Sequence, residues 1–423
     1  MNANTEISPH QAGAHDLGRD AEIIQDISNW LIDQGLQGGE FEAILSGFCE
    51  RLALAGMYMQ RAMIGMRTLH PSVDANTFVW TDGGEVASES ATLGQSGNTG
   101  WKNSPLYPMI ETGDYSRRFR LEDGNQEFDY PILVDLKKEG GTDYLARVTR
   151  FTIGAVQSVE TGLISSWATN RPGGFSDHEI RLLDRLIPRL ALTAKTLLTQ
   201  EIAENVLDTY VGPDAGRRIM GGDIRRGSLD VIRAVLIYAD LRGFTSMTDS
   251  VERDALAPML DSYFEQMVPP VVERGGQVLK FLGDGLLATF NLEDQPRDSV
   301  CQVALQTGME TLSRVRRLNE KRKSQGLPVL ELDIALHLGD VLYGNVGAAG
   351  RQDFTVIGPA VNEASRLEAL CQELGHHLLV SESFARAATA CADQLIPLGR
   401  HELRGVRRAQ EIYTVDLDGF DLT

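Results

Sequence analysis

Between Val231 and Phe290 two apolar runs are each interrupted by a single aspartate. The first, VIRAVLIYADLRGFT, carries Asp240; the second, GGQVLKFLGDGLLATF, carries Asp284. An ionised carboxylate is costly to bury without a partner, so neither aspartate suits plain core filling. Two such carboxylates invite a divalent cation. Taken singly, each has a simpler explanation. Asp240 can cap a helix entry, and Asp284, inside Gly283-Asp284-Gly285, can be hairpin turn chemistry.

The rest of the chain bounds the possibilities. Its 423 residues are enough for two to three domains, and a net charge of -19 argues against non-specific nucleic-acid binding and against docking on anionic membranes. The cysteines, Cys49, Cys301, Cys371 and Cys391, form no C-x-x-C pair, and Cys371 with His376 and His377 lacks a fourth ligand. Buried, reduced thiols in a cytosolic protein are the expectation. No apolar run reaches the roughly 18 residues that would span a bilayer. The N-terminus lacks the basic-then-apolar pattern of a secretory signal. A cytoplasmic protein with a disordered start over residues 1–19 is expected.

Residues 20–200 are expected to form one domain. Ile23, Ile27, Trp30 and Leu31, then Phe41, Ile44, Leu45 and Phe48, recur at helical spacing. Short runs such as TFVWT, ARVTRFTI and LISSWAT, separated by Gly, Asn, Asp and Pro, predict strands. Ser176 and Glu179 have capping-box spacing ahead of a long exit helix. Leu183, Leu190 and Leu197 lie seven apart on that helix, which fits either a short parallel coiled coil or an amphipathic helix packed on its own domain. Helices, a sheet and an exit helix follow the order of a GAF-like or PAS-like sensor. Trp80, Trp101, Trp167, His70 and Arg61 are candidate pocket residues, although core aromatics explain each one singly. Residues 201–230, rich in Gly and Arg, are expected to be a linker.

From residue 231 the pattern is a buried strand, a helix carrying Leu256, Leu260, Phe264 and Met267, a hairpin around Asp284, a long helix, a strand pair, and a strand entering a helix. This β-α-β-β-α-β order with additions matches a ferredoxin-like palm. The expected fold class is therefore α+β: a C-terminal palm preceded by a GAF-like α/β domain and a helical linker. No G-x-x-x-x-G-K-[ST] or G-x-G-x-x-G loop is present, so a nucleotide would depend on metal and side chains.

Five blocks, ADLRGFTSMTD, GGQVLKFLGDGLLATF, ALHLGDVLYGNVG, DFTVIGPAVNEASRLE and LGRHELRGV, appear in the order and at the spacing of class III adenylate cyclase catalytic domains. Residues 231–415 resemble that family, within a catalytic domain expected over 231–423. The resemblance departs at Pro359, where many relatives have Asp at a position that is not a metal ligand.

The resemblance implies a specific chemistry. Asp240 and Asp284 become ligands of two divalent ions, Mg²⁺ or Mn²⁺. One ion acidifies the ribose 3′-hydroxyl, and the other neutralises the triphosphate and the leaving pyrophosphate. The backbone amides of Phe244 and Thr245 cradle phosphates at a helix start. Asn362 and Arg366, four apart on one helix face, match the pair that orients the ribose and binds charge on the α-phosphate. Arg404 and Arg351 contact phosphate. Lys280 and Thr355 read the base. Lys donates to adenine N1 and the Thr hydroxyl accepts from N6, whereas guanine mismatches Lys280. Thr at this place marks a bacterial subgroup, sometimes bicarbonate-responsive. Carrying both residue sets on one domain implies a homodimer with two symmetric sites. The expected function is an adenylate cyclase making 3′,5′-cyclic AMP and pyrophosphate from ATP, controlled by an N-terminal domain that answers to an unidentified regulator. The alternatives are a guanylate or dual-specificity cyclase and a non-catalytic nucleotide-sensing module.

Overall fold

The computed structural model describes residues 9–68, 73–92, 99–122, 128–152, 162–248, 251–292, 295–406 and 408–417. It divides into two compact units, Met1–Val206 and Leu207–Thr423. Among the described residues, no helix is long and apolar enough to cross a membrane.

The first unit begins with α1 (Pro9–Gln37) and α2 (Phe41–Leu54). Residues 9–19, expected to be disordered, are therefore the opening turns of a helix. Pro9 stands at the first helical position, where its missing N–H costs nothing, and Ala12, Ala14 and Leu17 are good helix formers on either side of Gly13 and Gly18. Next come β1 (Arg61–Arg67), β2 (Val73–Thr81), β3 (Ala87–Thr92), α3 (Thr99–Lys102), α4 (Tyr107–Thr112), β4 (Ser116–Arg120), α5 (Pro131–Lys138), β5 (Asp143–Arg150), β6 (Gly162–Thr169) and α6 (Asp177–Val211). The six strands form an antiparallel sheet in the order β3-β2-β1-β6-β5-β4.

Strand alternation sends side chains to two faces of this sheet. Ala62, Ile64, Trp80, Leu145 and Trp167 join a core with α1, α2 and α6. Tyr144, Ala146 and Val148 face the other way, into a smaller core with α4 and α5. Leu183 and Leu190 are buried in the first of these cores and Leu197 packs against it, so this stripe of α6 serves its own domain. The capping box at the start of α6 is present: the Ser176 amide donates to Glu179 Oε2 at 2.8 Å, and the Glu179 amide donates to Ser176 Oγ at 3.3 Å.

The second unit contains α7 (Pro213–Met220), β7 (Leu229–Arg242), α8 (Phe244–Thr248), α9 (Arg253–Val272), β8 (Gln277–Leu282), β9 (Gly285–Asn291), α10 (Arg297–Ser324), β10 (Glu331–Ala348), β11 (Arg351–Ile357), α11 (Pro359–Leu374), β12 (Leu378–Ser381), α12 (Glu382–Ala387), β13 (Leu395–His401) and β14 (Gln410–Val415). The sheet order is β13-β14-β12-β10-β7-β9-β8, with β11 paired to β10. Only the β10–β12 pairing is parallel among the described strands.

The segment expected to be a linker is in large part structured. Residues 201–211 complete α6, and α7 packs against the second unit. Ala215 is buried beside Ile232 and Tyr343, and the Tyr343 hydroxyl donates to Asp214 Oδ2 at 3.0 Å. Arg218 bridges Asp214 and Asp230. The glycines and arginines suggested flexibility, but the arginine finds two carboxylate partners that only the fold brings near.

Candidate active site

Period-two alternation along β7 decides where Asp240 points. Val235, Ile237, Ala239 and Leu241 enter the main core with α9 and α10. Ile232, Leu236 and Tyr238 face the opposite side, and Asp240 continues that row. Asp240 sits opposite Asp333 in the β7–β10 register. Asp333 is buried and fully engaged: Arg242 donates to its two oxygens at 2.8 and 2.7 Å, and His377 Nδ1 lies 2.9 Å from Oδ1. Arg242 is thus committed to Asp333.

Asp284 occupies the β8–β9 turn after Gly283, whose φ of 75° is the left-handed conformation such a turn requires. Gly285 brings this turn against β7. A Cβ there would stand 2.4 Å from the Ala239 carbonyl oxygen and 2.5 Å from Asp240 Oδ1. The absence of a side chain lets the two aspartates share one place. Burial, with the charges of Asp284 and Asp333, raises the Asp240 carboxyl to about 6. Burial also raises Asp284. Neither aspartate has an ion-pair partner among the described residues. This is an acidic pair with a deficit of positive charge, which a divalent cation would correct. Among the described residues, no group of three or more His, Cys, Asp or Glu is gathered where it could hold a metal.

Glu368, on α11, was not singled out from the sequence. Burial lifts its carboxyl to about 7, and the charges of Asp240, Asp333 and Asp284 add to that while Arg242 opposes it. Asp333 was also missed. Its signal was an aspartate within the apolar run ELDIALHL, the same anomaly that marked Asp240.

Phe244 and Thr245 open α8, directly after Gly243 with φ 83°. Lys280, on β8, is ion-paired with Asp353 on β11. Thr355 lies two residues beyond Asp353, on the same side of β11 and about 7 Å along the strand. Phe354 and Val356 point the other way, into the small core with Leu236 and Leu287, which folds β11 back over the sheet. That return, invisible in sequence, brings Lys280 and Thr355 into one neighbourhood.

Asn362 and Arg366 lie four apart on α11, which starts after Gly358 with φ 144°. The Arg366 guanidinium rests beside Gly405, 3.5 Å from where a Cβ would be, against the turn that also carries Arg404 in sequence. Arg351 is exposed at the β10–β11 turn and no geometry ties it to the others.

Of the earlier pocket candidates, Trp80 and Trp167 belong to the helix-covered core of the first unit. Arg61 begins β1, and Trp101 packs on the opposite face. His70 lies outside the described residues.

Residues 231–416 match the family model of the adenylate and guanylate cyclase catalytic domain. This part of the chain belongs to the class III nucleotidyl cyclase family. It is 33% identical over 168 residues to an adenylate cyclase of Anabaena cylindrica, covering 39% of this chain and 32% of that protein. It is 28% identical over 184 residues to adenylate cyclase 1 of Rhizobium meliloti, covering 42% of this chain and 27% of that one. The chain therefore spans about a third or less of the length of these relatives. The crystal structure of the adenylyl cyclase CyaB from P. aeruginosa is similar over 45% of this chain and 96% of that chain, at 26% identity and a TM-score of 0.41.

Proposed function

We propose that this chain is a cytoplasmic, homodimeric adenylate cyclase that converts ATP to 3′,5′-cyclic AMP and pyrophosphate, with its first unit as a GAF-like or PAS-like regulatory domain. The observation that carries the reading is the pair Asp240 and Asp284, desolvated and without an ion-pair partner within a family-matched domain. The spatial order β10-β7-β9-β8, threaded as β-α-β-β-α-β, supports the ferredoxin-like palm reading.

Asp240 and Asp284 would hold two divalent ions, Mg²⁺ or Mn²⁺, with the remaining ligands coming from substrate phosphates and water. Bound there, the ions supply activation of the 3′-hydroxyl and neutralisation of the triphosphate. The amides of Phe244 and Thr245 hold phosphate oxygens. Asn362 orients the ribose. Arg366 meets charge developing on the α-phosphate, and Arg404 and Arg351 bind the triphosphate. Lys280 donates to adenine N1 and Thr355 accepts from N6.

Two copies are required in this reading. Among the described residues, Lys280 pairs with Asp353 and Arg366 rests at Gly405; neither pairs with Asp240 or Asp284. The base-reading and phosphate groups of one protomer would complete the site holding the aspartates of the other. Phe281, next to Lys280, is 52% exposed, an apolar surface that a second copy would cover.

One observation favours a second reading, a dual-specificity cyclase. Thr355 is a neutral acceptor beside the Lys280–Asp353 pair, so discrimination against guanine is weaker than an ionised aspartate at position 355 would give. Incubating the full chain with ATP or GTP and Mn²⁺, and quantifying cyclic nucleotide, decides between them. Cyclic AMP dominates if the main reading is right, and Asp240→Ala abolishes it. No cyclic product from either nucleotide over a range of protein concentrations would refute catalysis and leave the nucleotide-sensing module.

A further inference from the structure

The sheet of the first unit carries a cavity of about 680 Å³ on the face away from α2 and α6. Strand register builds its floor. Gly65 pairs with Thr77, and Thr77 with Glu89; Arg67 pairs with Ala75, and Ala75 with Ala91. All six line the cavity, so the floor is one continuous face of three adjacent strands. Its smallest positions, Gly65, Ala75 and Ala91, sit where larger side chains would fill the space.

The walls are of a different character. Trp101 and Tyr107 meet edge to face, with ring centroids 6.0 Å apart. Met63, Ile110 and Ile164 complete an apolar lining. Indole, phenol and thioether together favour a flat aromatic body, through ring-edge and sulfur contacts that an aliphatic ligand cannot make. The charged groups that line the space are of both signs, Arg67 and Lys102 with Glu89 and Glu111. The carboxylates of Glu89 and Glu111 line the space, and Tyr107 donates its own hydroxyl to Glu111 at 2.7 Å. The volume lies within the range of small-molecule sites.

We infer that this cavity is a binding site for a planar heteroaromatic small molecule bearing a hydrogen-bond donor. The ring occupies the slot between the Gly65–Ala75–Ala91 floor and the Trp101 wall, and its donor meets the Glu89 or Glu111 carboxylate. The site lies wholly within the first unit and does not depend on the catalytic reading.

The test uses the full chain and norharmane, a fluorescent planar heteroaromatic with one ring N–H, followed by fluorescence anisotropy. Saturable binding at one molecule per chain is expected. Ala75→Phe, which fills the floor, and Trp101→Ala, which removes the wall, should each weaken it by about tenfold. Melting curves of both variants establish that they are folded, and Ala91→Phe replaces Ala75→Phe if the latter is not. The aliphatic cage amine adamantan-1-amine should not displace the probe. Unsaturable binding, unchanged affinity in the folded floor and wall variants, or equal displacement by adamantan-1-amine would each overturn the assignment. Because the readout is probe anisotropy, failure of nucleotide turnover cannot imitate any of these results.

Discussion

The Lys280 ammonium is ion-paired with Asp353 of the same chain, and Asp353 precedes Thr355 by two residues on β11. The two side chains are 43% and 49% exposed, so the pair adds under about 1 kcal/mol to stability. Its consequence is positional: it holds the ammonium on β11, at the residue two before Thr355. Asp353→Asn should leave the melting temperature within about 2–3 °C while lowering the ATP-to-GTP ratio of kcat/KM several-fold, to about a third or less. An unchanged ratio would reduce the pair to an ordinary surface ion pair.

Gly285→Ala tests how the two aspartates come together. Its Cβ would lie 2.4 Å from a backbone oxygen of β7, which cannot rotate away as a side chain can. The β8–β9 turn must then move off Asp240. A loss of roughly 1–3 kcal/mol in urea unfolding is expected, together with a larger fall in cyclase activity than in stability-matched variants elsewhere. Full activity in this variant would show that the close approach is not needed.

Glu368 offers a test with a defined sign. Its carboxyl is raised to about 7, so the folded chain binds this proton more tightly than the unfolded chain does. The ionised form therefore costs stability above that pH, and the cost fades as pH falls toward the ordinary carboxylate range. In chelator, Glu368→Gln should raise the melting temperature at about pH 8 and do so less at about pH 5. A gain that does not vary with pH would contradict the electrostatic origin.

His377 carries the opposite sign. Its bond to Asp333 raises its pKa, with Glu331 assisting and burial and Arg242 opposing. The stabilisation is complete below the ordinary value of 6.5 and is lost as pH rises through the higher folded value. Against His377→Gln, the wild-type chain should be more stable at about pH 6, with the difference shrinking by about pH 9 in urea melts. A constant difference would mean that packing, not charge, is at work.

Much of the candidate site was legible because its signals are local. An aspartate inside an apolar strand, a glycine-flanked turn and an asparagine four residues before an arginine each announce themselves within a few positions. The α7 contacts, Glu368 and the Lys280–Asp353 pair were not legible. Each joins residues distant in the chain, as in Asp214 with Tyr343 or Lys280 with Asp353.

The sequence by itself determined that Asp240 and Asp284 are out of place in their apolar runs, and that the blocks around them follow the class III cyclase order. Tertiary structure alone decided that Arg242 goes to Asp333 and leaves the Asp240–Asp284 pair without that positive charge. It also decided that β11 returns over the sheet to bring Thr355 toward Lys280. The physical reason is that alternation and turn chemistry act over two to four residues. Charge compensation depends instead on distance and burial in space, which strand register sets only once β7, β9 and β10 have paired.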